Sequence, residues 1–250
     1  MKQYKFNKED SISIVNAIVE GYGDYIDHRK DRHEHMKISS AFAWTKGNFI
    51  ESKIAEISSE LNLSYKRAKA GLTWDYLQFI HDGTKKLFLI KNAAYFNKNN
   101  FSQAILPNNN QSKGHRRTYL HELSKINQNL DFKSFPYETF DSSTQGKQLS
   151  LFVTEKQIKD QIEHFQTQYN EFHILTYKID EAYQISEIIH YLPNPNDNIA
   201  YEIENLSDYI SGAELTDEER DIIAPELDND DIMDPAAFDI GIFEEDEESH

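Results

Sequence analysis

Thr73-Trp74-Asp75-Tyr76-Leu77-Gln78-Phe79-Ile80, His81-Asp82-Gly83-Thr84 and Lys85-Lys86-Leu87-Phe88-Leu89-Ile90-Lys91 follow one another without a break. The first run is rich in Trp, Tyr and Phe, residues that suit a pleated, half-buried surface. The second carries Asp-Gly, and glycine supplies the positive φ that tight hairpins need. The third is an apolar return run. Together they predict a β-hairpin. Helical periodicity before and after it makes the fold class α+β.

Upstream, Asp10, Ile12, Ile14, Val15, Ile18 and Val19 recur near helical spacing, which predicts a helix over 8–28 interrupted by Gly21 and Gly23. The polar run His28–His35 holds three histidines and Glu34, but their spacing matches no named metal site, so it reads as a solvated or phosphate-facing loop. Asn48 with Glu51 three residues on forms a capping box. Phe49, Ile50, Ile54, Ile57 and Leu61 then make the apolar stripe of a second helix. Leu61 to Leu72 resembles the turn and recognition helix of a helix-turn-helix. Asn62 is the residue tolerant of a left-handed turn, Ala68 and Leu72 face inward, and Lys66, Arg67 and Lys69 face DNA. With the hairpin as its wing, this makes residues 1–140 a basic, mainly helical α+β domain of winged helix-turn-helix type. The plainer alternative is two ordinary core helices with a basic edge.

Downstream, Asn97–Asn100 and Asn108–Gly114 are Asn-rich surface loops. Lys113, Arg116 and Arg117 lead into a helix through Leu120, Leu123 and Ile126, a place where cations can meet phosphates. Residues 141–153 read as a polar linker ending in an extended peptide. Thr154 and Gln157 form a capping box, and Val153 and Ile158 a hydrophobic staple. Strands over 172–179, 183–192 and 199–203 come next. Residues 154–212 thus read as a small helix-plus-antiparallel-sheet unit, which either stands alone or completes the first sheet. Residues 213–250 read as a disordered acidic tail, with 16 acidic residues and one Arg from Glu214 onward. Apolar groups embedded there, Phe238, Ile240, Ile242 and Phe243 among them, make it more than a solubility tail.

Charge divides the chain. Residues 1–147 net +6 and residues 148–250 net −23, giving −17 in all. That asymmetry predicts a basic face for an anionic partner and a separate acidic segment. The absence of cysteine excludes disulfides, Cys-ligated metals and thiol catalysis, and suits a reducing cytoplasm. The N-terminal MKQYKFNKED has no apolar signal-like region, and no run approaches a membrane span. Usage rich in Lys, Asn, Ile and Tyr points to a bacterial or phage source.

One short motif names a partner. Gln148-Leu149-Ser150-Leu151-Phe152 resembles, at all five positions, the peptide by which bacterial replication and repair proteins bind the polymerase sliding clamp. Chance matching of five specified residues is on the order of one in a thousand for a chain this long. The resemblance implies that Gln148 hydrogen-bonds in one subsite while Leu151 and Phe152 fill an apolar pocket, with Leu149 and Ser150 between. The implied function is a DNA-associated accessory protein tethered to the clamp. Equally, Leu149–Val153 reads as a buried strand or a lead-in to the helix at Thr154.

Two other readings compete. Restriction-type nucleases set an acidic residue on one strand and an acidic-x-Lys triplet on the next, often with a helical Glu before them. Glu51, Asp75 and Lys91 occupy those places, but Leu89 stands where the second carboxylate belongs. Only this reading implies a cofactor, Mg²⁺. The third is a non-catalytic regulator or antitoxin-like protein that reads DNA with the helix-turn-helix and uses the acidic tail for inhibition.

Overall fold

Helix α1 (Lys8–His35) starts at Asn7, whose side chain accepts a hydrogen bond from Asp10 N at 2.8 Å. It buries Ile14, Val15, Ile18, Tyr22, Tyr25 and Ile26, one stripe at helical spacing. The helix runs on through Gly21, Gly23 and the polar run His28–His35, so neither the interruption nor the loop read from the sequence is present. Packing explains Gly21. Helix α2 (Lys46–Glu56) crosses there so closely that a Cβ on Gly21 would lie 2.7 Å from Ile50 Cα and 2.9 Å from Phe49 O. Helix α2 starts two residues before Asn48, which therefore does not cap it; Glu51 bonds instead to Leu77 N.

The computed structural model describes residues 2–70, 74–101, 119–133, 135, 149–154, 168–212, 214–224 and 238–243. After α2 the chain turns at Asn62, which does take the left-handed conformation, with φ 52°. The next element is strand β1 (Leu63–Ala70), and this overturns the recognition helix. The reason is tertiary. Eight consecutive residues of β1 pair antiparallel with β2 (Trp74–His81), Leu63 is buried, and the Tyr65 ring lies 6.4 Å from that of Phe79. A modest helical preference in Lys-Arg-Ala-Lys-Ala cannot outweigh a full ladder.

The hairpin is present. β2 turns into β3 (Lys86–Asn92) through Asp82–Lys85. The left-handed residue, however, is Lys85 with φ 57°, not Gly83, and Lys85 N donates to His81 O at 2.8 Å. The loop is thus longer than the two-residue turn that Asp-Gly suggests.

The strands of the C-terminal half, β5 (Glu171–Ile179), β6 (Ile185–Pro193) and β7 (Ala200–Asn205), complete this same sheet. The order is β1-β2-β3-β5-β6-β7, and β5 runs parallel to β3, opposite in sense to the hairpins on either side. A parallel neighbour needs a crossover, and helix α3 (Tyr119–Ser124) lies on it.

Side chains alternate across the sheet. Phe79, Phe88, Ile90, Leu175 and Tyr177 pack against α1 and α2; Ile80, Leu87, Leu89, Phe172 and Ile174 pack with Tyr119, Leu120 and Leu123 of α3. A second, two-stranded sheet joins β4 (Leu149–Thr154) to β8 (Phe238–Phe243). Within the segment read as a disordered acidic tail, two stretches are therefore regular: β8 and a short helix, Asp217–Ile223, capped by Thr216 and Glu219. The helix expected after Thr154 lies outside the described residues. Among the described residues no helix is long and apolar enough to cross a membrane.

The two α1 glycines separate packing from propensity. Gly21→Ala is expected to lower stability by about 1–3 kcal/mol through forced overpacking. Gly23→Ala, with nothing within 4 Å of its new methyl group, is expected to gain up to about 1 kcal/mol. Urea denaturation of both variants checks this, and equal effects would refute the helix contact.

Candidate functional site

The clamp-like peptide occupies β4. Leu149, Ser150, Leu151 and Phe152 are extended, and their backbone belongs to the two-stranded sheet rather than to the six-stranded one. Gln148 lies outside the described residues, as do Lys113, Arg116 and Arg117.

The cations read as a recognition-helix face lie on the outer strand of the large sheet. Lys66 and Arg67 are exposed there. Lys66 Nζ donates to Gln168 Oε1 at 3.4 Å and sits 5.7 Å from the centre of the Tyr169 ring, while Arg67 pairs with Asp75 at 2.5 Å. Lys69 shares β1. Charged residues on an edge strand also deter edge-to-edge association, so this basic stripe has a structural role whether or not it meets DNA.

The nuclease-type residues are only partly assembled. The β2–β3 ladder pairs Phe79 with Phe88, Ile80 with Leu87 and His81 with Lys86, and extends no further toward Leu77. Glu51 reaches from α2 to that end of β2, where its Oε2 accepts from Leu77 N at 2.8 Å. Burial of the carboxylate drives its pKa up to about 8, against the pull of the Leu77 hydrogen bond and of Lys91. Glu51 and Lys91 thus feel one another, whereas Asp75 is turned to Arg67. Leu89 is packed in the core beside α3. Among the described residues no three His, Asp or Glu side chains gather into a metal site, so the ligand set does not fit a Mg²⁺ ion as it stands. The histidines of the run 28–35 lie along α1, where His28 packs against Phe42 and Phe49.

A polar network that the sequence reading missed lies in the core. Lys86, 3% exposed, donates through Nζ to the carbonyls of Gln3, Tyr4 and Lys5 at 3.1, 2.8 and 3.0 Å, and pairs with Glu171 at 3.3 Å. Glu171 Oε2 lies 2.9 Å from His173 Nε2, and His173 Nδ1 lies 3.0 Å from His190 Nε2. Burial holds both imidazoles well below their ordinary range, so they are neutral at pH 7. That fixes the tautomers. An ionised Glu171 only accepts, so His173 Nε2 donates; its Nδ1 then accepts from His190 Nε2. His190 Nδ1 is left as an acceptor with no donor among the described residues, while the Phe6 ring stacks on His190 at 4.8 Å. The available signal was a histidine in the interior of each of two apolar strands, and a lysine opening a third.

The chain matches no family model, no curated protein and no solved structure.

Glu51 gives a pH test. A carboxyl group with a raised folded pKa binds its proton more tightly folded than unfolded. Its contribution is complete below the ordinary value of 4.5 and is lost as pH rises toward about 8. Wild type is expected to lose about 1–3 kcal/mol between pH 5 and 8 relative to Glu51→Gln, which keeps an acceptor for Leu77 N without a charge. Parallel urea titrations give this difference and cancel the opposite contribution of the buried histidines. Identical slopes would refute a protonated Glu51.

Proposed function

We propose that this chain is a DNA-associated accessory protein held at the bacterial sliding clamp through Gln148–Phe152. One observation carries the reading: the pentapeptide is complete at every position in the sequence, and its last four residues lie on a strand outside the six-stranded sheet. Its extended backbone suits a peptide that binds in a pocket, and detaching it breaks no ladder of the main core. The +6 balance of residues 1–147 supports a nucleic-acid partner. So do the exposed Lys66 and Arg67, with Lys69 on the same strand, and the sequence cluster of Lys113, Arg116 and Arg117. A clamp contact between the two charge halves would hold the basic half beside DNA.

Burial of Leu151 and Phe152 is worth roughly 1.5–3 kcal/mol each before ordering costs, so the expected Kd is micromolar or weaker. Calorimetry of the full chain against a bacterial sliding clamp checks it. Leu151→Ala/Phe152→Ala is expected to weaken binding at least tenfold, and unchanged binding would overturn the reading.

A second reading, a nuclease, draws on Glu51 reaching the open end of the β2–β3 ladder within the influence of Lys91, and requires Asp75 to leave Arg67 before the set could hold Mg²⁺. On this reading the purified chain cleaves plasmid DNA when Mg²⁺ is added, and Asp75→Ala lowers the rate at least a hundredfold. An Asp75→Ala protein that cleaves as fast as wild type would exclude it.

A further inference from the structure

β8 comes from the acidic C-terminal segment, yet it pairs with the clamp-like peptide. The two strands run parallel, with Leu149 opposite Phe238, Ser150 opposite Asp239, Leu151 opposite Ile240 and Phe152 opposite Gly241. Four of the five motif residues are therefore already engaged in a ladder with their own chain. The ribbon is held against the body of the fold at both strands: β8 lies beside α3, and β4 lies near β1.

We propose that β8 is an internal competitor strand that masks the clamp-binding peptide, so that the clamp gains access only when β8 is released. This rests on the clamp reading. A peptide entering a pocket must give its backbone and side chains to the partner, whereas in the ribbon one backbone edge of Leu149–Phe152 is committed to β8.

The strength of the mask depends on its size. Two strands alone are marginally stable in water, and a parallel pair is slightly weaker per residue than an antiparallel one. The six residue pairs of this ribbon are continuous with neither edge of the main sheet, so releasing β8 leaves the core intact. Such a latch lowers affinity without abolishing it, because the apparent Kd is the intrinsic Kd divided by the open fraction. A ribbon open about one-tenth of the time weakens clamp binding about tenfold.

The pairing also gives the composition of β8 a purpose. Phe-Asp-Ile-Gly-Ile-Phe alternates apolar residues with Asp239 and Gly241, a pattern that makes a strand. The acidic residues after it, Glu244 to Glu248, include no cation. In sequence, β8 is thus followed at once by a run of negative charge, while its partner strand β4 follows the basic half.

The test uses the full chain with Ile240→Pro/Gly241→Pro. Successive residues of a parallel strand turn their backbone groups to opposite sides, so adjacent prolines remove a donor facing β4 whichever residue carries it. Length and charge stay as they are. Amide hydrogen exchange over 149–154 and the Kd for a bacterial sliding clamp are then measured in both proteins, with the urea midpoint as a check that the main fold is kept. Gly241→Pro alone serves as the milder variant.

The expected result is faster exchange at 149–154 and a Kd about tenfold lower, with binding lost again when Leu151→Ala/Phe152→Ala is added. An unchanged Kd overturns the mask whether or not exchange speeds up, and leaves the clamp reading standing if Leu151→Ala/Phe152→Ala still abolishes binding. If neither wild type nor the proline variant binds the clamp, the clamp reading falls and the mask falls with it.

Discussion

The buried ammonium of Lys86 ties the fold together. It sits at the first residue of β3, opposite His81 across the hairpin and opposite Glu171 across the parallel junction. It also takes three carbonyls of the N-terminal segment, at Gln3, Tyr4 and Lys5. One charge therefore joins three parts of the chain that are far apart in sequence. Burial alone would strip that charge away, since desolvation pushes the Lys86 pKa down and the Glu171 pKa up. The three carbonyls and the ion pair oppose this, and removing any one of them would leave a buried group uncompensated. The His173–His190 pair extends the network inward under Phe6 and ends at an acceptor with no donor among the described residues.

Around this junction the sheet divides the work. The two antiparallel halves meet at β3 and β5, and helices cover both faces there. Toward Leu77 the β2–β3 ladder ends, and Glu51 from α2 meets the backbone N–H that a ladder partner would otherwise take. The large sheet thus provides a platform with a basic outer strand. The β4–β8 ribbon forms its own sheet beside that platform and joins two segments of opposite local character, the stretch that follows the basic half and the acidic C-terminal region.

Much of this was legible along the chain. The hairpin from Trp74 to Asn92 and the strands 171–179, 185–193 and 200–205 stand within a few residues of where their composition and turns predicted them. The helix through Leu120 and Leu123 does too. Asn62 has the left-handed turn expected of it, yet the chain beyond it is a strand, because the complete ladder that β2 offers outweighs the local helical preference of Lys-Arg-Ala-Lys-Ala. Gly21 looks like a helix breaker and is a contact point instead, since the space it leaves is filled by α2. Of the candidate nuclease residues, Glu51 and Lys91 come under each other's influence and Asp75 turns to Arg67, a difference that spacing alone does not reveal.

By itself the sequence determined the α+β class, most element types, the charge division and the clamp-like pentapeptide. These depend on periodicity, turn chemistry and composition, which act over a few residues at a time. Only the tertiary structure decided that the C-terminal strands complete the first sheet, that β5 runs parallel to β3, that Lys86 joins them, and that β8 pairs with β4. Each of these is a choice of partner across tens of residues. Such a choice depends on which strand edges and buried charges remain unsatisfied once the local elements have formed, and no single stretch of sequence carries that information.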